Sequence, residues 1–242
     1  IVIGEKYNID LENSDLWLLK INSQGELSWE KTLGSTGDDR GYDIKNNRSG
    51  GYLLLGSTNS FGNGGSDIWL INTDSDGNEI WSKTYGSSNN EYGRSIIDSD
   101  DGGYLIFATS ESFGNDNTGL HNIKIDSTGL EEWNKSFGGF YGKNGNVIRQ
   151  SPNGGYILIS SRYNFNDNSY NMWLIKMDSN GSTEWTKTFG NSNNDYGFGI
   201  AITSDNGFIL TGSTSNYGNS SSDLSDIWVI KTNLDGETLD PN

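Results

Sequence analysis

The chain repeats with a period of 52 residues. Trp29, Trp81, Trp133 and Trp185 stand one period apart, as do Gly51, Gly103, Gly155 and Gly207, and Lys31, Lys83, Lys135 and Lys187. The register reaches the first residues, where Ile1-Val2-Ile3-Gly4 aligns with Leu53-Leu54-Leu55-Gly56. A period near 50 built from short strands points to a β-propeller, with one four-stranded antiparallel blade per repeat. The period also disciplines any functional reading, because a residue that recurs in every repeat is explained by blade architecture first.

Residues 41–92 show one repeat. Residues 41–45 read as a short strand A and 52–57 as strand B, nearly all apolar and therefore buried on both faces. Strand C follows at 67–72 and strand D at 80–85. Asn/Asp-Gly-Gly turns join A to B. Asp-x-x-Gly turns such as Asp74-Ser75-Asp76-Gly77 join C to D, where Gly tolerates positive φ. All eight tryptophans fall on two repeat positions, in C (Trp17, Trp69, Trp173, Trp228) and in D (Trp29, Trp81, Trp133, Trp185). Such regularity predicts packing between blades. Gly41, Gly93, Gly145 and Gly197 beside strand A suit a crowded axis, and the lysines of D suit an exposed edge.

The chain begins in a B strand and ends after a C strand, which predicts eighteen strands and five blades, the first lacking A and the last lacking D. The expectation is a single all-β propeller domain over 1–242, with repeats at 1–40 (partial), 41–92, 93–144, 145–196 and 197–242 (partial). A five-bladed ring is the simplest closure, and a segment of a six- to eight-bladed ring is the alternative. With no initial Met, no signal peptide and a start inside a strand, the sequence reads as a processed or partial segment.

Thirty-two acidic residues against 16 Lys and Arg give a formal charge of −16, and the bases are spread over repeat positions. A chain of this kind lacks the basic patch that a phosphate backbone or an anionic membrane requires. No apolar run approaches the roughly 18 residues of a membrane span, so no membrane insertion is expected. The absence of cysteine removes disulfides, zinc-thiolate sites and cysteine nucleophiles together.

The pattern Asp-Gly-Gly-Tyr, then Ser-Asp-Ile-Trp-Leu-Ile, then Asp-x-x-Gly-x-x-x-Trp-x-Lys-Thr-Phe/Tyr-Gly resembles the tandem repeat of secreted, surface-associated proteins of flavobacteria-like bacteria. The segment from Asp74 to Trp81 is also similar to quinoprotein-type and Kelch-like propeller repeats, in which a Gly turn precedes a docking Trp. The resemblance covers essentially the whole chain. It implies a propeller and a secreted or cell-surface location. Some proteins with this repeat are labelled endoglucanases, but no motif here carries that activity.

Most acids lie in turns, and turn formation accounts for them. His121, the only histidine, occupies the strand C tryptophan position. One His without Cys cannot build a usual zinc site. No cofactor is expected apart from possible calcium, for which Asp74 and Asp76 are the weak candidates, without EF-hand spacing. The site-like material is in the B–C and D–A loops, which emerge on one face of a propeller. Phe61, Phe113, Phe165 and Tyr217 recur in the B–C loops, with Ile9 at the first. Tyr92 and Tyr196 sit in the D–A loops beside Asn90-Glu91 and Asn194-Asp195, with Asp38-Asp39 at the corresponding earlier place. Rings beside amides and carboxylates suit a sugar, whose C–H surfaces stack while its hydroxyls find hydrogen bonds. The expected function is an extracellular binding module for a glycan or a cell-surface protein. The alternatives are a polysaccharide hydrolase with carboxylates at the channel mouth, which needs two facing carboxyl groups, and a structural spacer or assembly unit of a surface protein.

Overall fold

The computed structural model describes residues 1–112, 119–138, 147–215 and 225–238, which contain eighteen strands and no helix. They form five antiparallel sheets, each a meander of sequence neighbours. The first holds β1 (Val2–Asn8), β2 (Asn13–Ile21) and β3 (Leu27–Leu33). The second holds β4 (Asp39–Asn46), β5 (Tyr52–Thr58), β6 (Asp67–Thr73) and β7 (Glu79–Tyr85). The third holds β8 (Glu91–Asp98), β9 (Tyr104–Ser110), β10 (Gly119–Ile125) and β11 (Glu131–Gly138). The fourth holds β12 (Val147–Gln150), β13 (Tyr156–Asn164), β14 (Ser169–Met177) and β15 (Thr183–Phe189). The fifth holds β16 (Asp195–Ile202), β17 (Phe208–Thr214) and β18 (Asp226–Thr232). Strand number, order and phase agree with blades of a propeller.

The chain divides into two compact units, Ile1–Ser136 and Phe137–Asn242. In the first unit alternate residues of β5 and β6 serve opposite neighbours, as the two-residue period of a strand dictates. Tyr52, Leu54, Trp69 and Ile71 meet Leu16 and Leu18 of the first sheet. Leu53, Leu55, Ile68 and Leu70 meet Ile96, Ile106, Ala108 and Ile123 of the third. Hence all seven residues of β5 are buried. In the second unit Ile157, Ile159, Met172 and Leu174 meet Ile200, Phe208, Leu210 and Ile230 in the same manner.

The C–D turns explain why acids and amides gather there. Asp74 Oδ1 accepts the backbone N–H groups of Asp76 and Asn78, each at 2.9 Å. Asp126 and Asp178 repeat the arrangement, and Asn22 and Asn233 reproduce it with an amide oxygen. The turn glycine has a second duty. A Cβ on Gly77 would stand 2.8 Å from the Trp29 ring, one on Gly129 2.9 Å from Trp81, and one on Gly236 2.8 Å from Trp185. Trp29, Trp81 and Trp185 thus each lie on the glycine turn of the following sheet.

The strand A glycines admit the preceding sheet. A Cβ on Gly41 would fall 2.3 Å from Ile3, and one on Gly93 or Gly197 within 2.8 Å of Leu55 or Ile159. Gly145 lies outside the described residues. Just after each of these glycines strand A slips its register, so that Tyr42, Arg94 and Phe198 are extra residues with no cross-strand partner. A bulge of this kind re-aims the side chain it carries.

Candidate functional site

In the second unit the bulge and a tight hairpin bring five aromatic rings into one run. The β13–β14 hairpin pairs Tyr163 with Tyr170 across the strands, and their ring centroids are 5.0 Å apart. Tyr163 also meets Phe165 at the hairpin tip edge-on at 5.2 Å. Tyr170 meets Tyr196 of β16 at 5.5 Å. Tyr196 stacks within 12° of parallel on Phe198, the bulge residue, at 6.3 Å. Phe165 is 68% exposed and Phe198 40%. Phe165 and Tyr163 line an open groove of about 560 Å³ with Arg162, Asn164, Asn166, Asn171 and Thr188. Burial, then the neighbouring Tyr170, raises the Tyr196 phenol above its ordinary pKa, so its hydroxyl remains a donor at any physiological pH. The Arg162 guanidinium lies 5.3 Å over the Trp173 ring at the groove wall.

The first unit uses the same repeat positions differently. Its bulge residue Arg94 is held between two tyrosines, 5.1 Å from the Tyr42 ring and 5.3 Å from Tyr92. Burial lowers the guanidinium pKa. Phe61 packs on Trp69 at 5.3 Å beside a smaller groove of about 350 Å³ that includes Lys83 and Glu79.

Of the residues expected to bind a ligand, Phe165 and Tyr196 join the aromatic run, while Tyr92 and Phe61 have their own partners in the first unit. Phe113 and Tyr217 lie outside the described residues. The polar dipeptides are engaged in the loops that carry them. Asp38, Asn90 and Asn194 accept the backbone N–H of Ser14, Ser66 and Tyr170 at 2.9, 2.9 and 3.0 Å. Asp39, Glu91 and Asp195 are fully buried and accept the N–H of Ser35, Ser87 and Asn191 in their own D–A loops. Each dipeptide is therefore a latch, one side chain fastening the loop to the preceding strand C and the next fastening the loop to itself. The latch was not visible in the sequence because a buried acid and an exposed one look alike in a loop. Tyr163, Tyr170 and Phe198 were missed. The clear signal was at Tyr170, which stands where other repeats have Ser14 and Ser66; Tyr163 recurs as Tyr7 and the Phe198 position as Tyr42.

Two carboxylates do converge at Asp67 and Glu91. Both have an oxygen within 2.7 Å of the point where a Cβ of Gly86 would stand. Burial, and secondarily the Glu91 charge, pushes the Asp67 carboxyl up to about 6. A raised acid beside a second carboxylate is hydrolase chemistry in principle. Here the side chains are 2% and 0% exposed and the backbone of Gly86 lies against them, so no sugar reaches them. Among the described residues no three His, Cys, Asp or Glu side chains form a metal-binding group. Asp74, the calcium candidate, uses Oδ1 for its turn and Oδ2 for the Asn78 amide at 2.8 Å.

No known protein family matches the sequence, and no curated protein does. Among solved structures the chain is similar to an endo-arabinase from Bacteroides thetaiotaomicron, with a TM-score of 0.52 and 11% identity over 92% of this chain and 88% of that one. It is also similar to a puromycin hydrolase, with a TM-score of 0.57 and 11% identity, covering 98% of this chain but only 36% of that one. At such identities the likeness bears on the fold alone.

Proposed function

We propose that the chain is a carbohydrate-binding module that holds a glycan along the ring run of the second unit, as part of a secreted or cell-surface protein. The observation that carries the reading is the unbroken series Phe165, Tyr163, Tyr170, Tyr196, Phe198, each ring in contact with the next and exposed at both ends. Rings in series offer flat apolar faces to sugar C–H surfaces, and tyrosine adds a hydroxyl for hydrogen bonding. Asn164, Asn166 and Arg162 in the adjoining groove supply fixed donors and acceptors. The groove lining includes no carboxylate among its described residues, which favours binding over hydrolysis. The likeness to an endo-arabinase fits a carbohydrate ligand without specifying one.

The test is glycan-array binding of the purified chain, followed by titration of any hit against Phe165→Ala and Tyr170→Ala. Each substitution is expected to weaken binding by about tenfold or more, the scale of a hot-spot aromatic. A blank array with folded protein, or hits indifferent to both substitutions, would overturn the assignment.

A further inference from the structure

One repeat position poses the same electrostatic problem three times. Residues near the start of strand C and at the start of strand A bring two polar side chains against the glycine that follows strand D. At Gly190 the pair is Asn171 and Asp195. The Asn171 amide nitrogen donates to the carbonyls of Asn191 and Tyr170 at 3.0 and 3.2 Å, so only one member of the pair can carry charge. At Gly86 the pair is Asp67 and Glu91, and the longer Glu91 reaches a donor for each oxygen, Ser110 Oγ at 2.8 Å and Ser87 N at 2.7 Å. Asp67 accepts from Asn63 N at 2.9 Å.

The pair at Gly34 has neither remedy. Asp15 Oδ1 and Asp39 Oδ2 lie 2.2 and 2.6 Å from the point a Gly34 Cβ would occupy. Asp39 is fully buried and Asn13 is 4% exposed. Asp39 Oδ2 takes Ser35 N and Ser60 Oγ, and the Asn13 amide nitrogen donates to the carbonyls of Ser35 and Gly37. Three oxygens are left buried without a donor: Oδ1 of Asn13, of Asp15 and of Asp39. Arg40 is committed to Glu5 and Asp38, and no Lys or Arg forms an ion pair with Asp15 or Asp39 among the described residues. Buried acceptors without donors are rare and call for a bound water or ion, and two carboxylates in such surroundings call for positive charge.

We propose that Asn13, Asp15 and Asp39 bind a hard divalent cation, calcium by the chemistry of the donors. All three donors are oxygens, two of them anionic, and calcium completes its shell of six to eight with carbonyls and water. Asp15 is partly exposed, which leaves a way in beside the 34–39 loop. Two carboxylates set a modest affinity, on the order of 0.1–1 mM, as in weakly charged modules. The ion would fasten the latch that joins the first two sheets.

The test is thermal unfolding of the full chain in EDTA and in 10 mM calcium, with terbium luminescence as a second measurement. The wild type is expected to gain about 5 °C with calcium and to show terbium emission that calcium displaces. Asp15→Asn copies the Asn171–Asp195 solution. It should melt no lower than the wild type in EDTA and gain nothing from calcium. Asp67→Asn should keep the calcium gain. The proposal fails if wild type melts alike in both buffers and shows no displaceable terbium signal, or if Asp15→Asn retains the full gain. Should Asp15→Asn not fold, the wild-type terbium titration alone decides.

Discussion

The β1–β2 hairpin of the first unit and the β13–β14 hairpin of the second are the same object with different surfaces. Both turn through four residues, 9–12 and 165–168, and both carry a non-glycine residue at positive φ in the last place, Glu12 at 55° and Asn168 at 53°. Both are latched alike, Ser14 N to Asp38 and Tyr170 N to Asn194. In the first hairpin Tyr7 stands opposite Ser14 and the tip carries Ile9 and Leu11. In the second, Tyr163 stands opposite Tyr170 and the tip carries Phe165. Backbone hydrogen bonds and the latch fix the frame, and the side chains beyond them are free to differ. A binding surface on a repeat protein is therefore to be sought where equivalent frames diverge.

The shared frame makes the largest prediction. Trp81 and Trp185 each lie on a glycine turn of the next sheet and join its apolar cluster. Trp81→Ala and Trp185→Ala should each cost about 3 kcal/mol, since a large aromatic is removed from an ordered contact. Urea midpoints would measure it. A cost of several kcal/mol in one unit and almost none in the other would break the claim that the two share one frame.

A smaller effect separates the units by pH. The first unit has two perturbed groups of opposite sense. Burial pushes Asp67 up to about 6 from the ordinary 3.8 of a free aspartate, while burial holds His121 down at about 4 against the usual 6.5. The native state binds the Asp67 proton more tightly than the unfolded chain does. Asp67 therefore gives stability below pH 4 that is lost as pH rises through 6. His121 acts the other way: the unfolded chain takes its proton first, so stability is lost as pH falls from 6.5 toward 4. In the wild type the two slopes oppose. Asp67→Asn, which installs the residue found at Asn171, should leave stability that climbs from pH 4 to 6.5, and His121→Gln should leave stability that declines from pH 4 to 6. Each difference from wild type should be of order 2–3 kcal/mol across the window. Urea unfolding at half-unit pH intervals measures both, and parallel curves for all three proteins would refute the assignment of these groups.

The fold was legible because a 52-residue period multiplies weak strand signals, so that β5, β6 and β7 could be placed within about a residue or two from Leu53, Trp69 and Trp81. That the tryptophans pack between sheets was legible for the same reason; which turn each one meets was not. The site was half legible. Phe165 and Tyr196 recur as aromatics in equivalent loops and stood out. Tyr170 has no aromatic counterpart at Ser14 or Ser66, Tyr163 shares its position with Tyr7 alone and Phe198 with Tyr42 alone, and a reading built on recurrence discounts what recurs so thinly. The latch that the acids form was hidden for a different reason. Asp39 and Glu91 are polar residues in loops, and sequence gives no sign that a loop folds its own carboxylate beneath itself to satisfy backbone N–H groups.

The smallest stability effect discriminates best between a frame residue and a surface residue. Tyr170→Ser turns the second hairpin into a copy of the first, with Ser opposite Tyr as at Tyr7 and Ser14. The Tyr170 backbone N–H still donates to Asn194, so the latch survives. What is lost is a cross-strand aromatic pair, about 0.2–1 kcal/mol, and the middle link of the ring series. The variant should therefore unfold within roughly that margin of the wild type while losing about tenfold or more in glycan affinity, a hot-spot loss. A loss of several kcal/mol in stability would mean that Tyr170 belongs to the frame, and that the rings brace the hairpin against β16 rather than waiting for a ligand. Full affinity with unchanged stability would place the sugar elsewhere on the unit. Only the combination of a nearly unchanged frame and a lost ligand fits the contrast between the two hairpins.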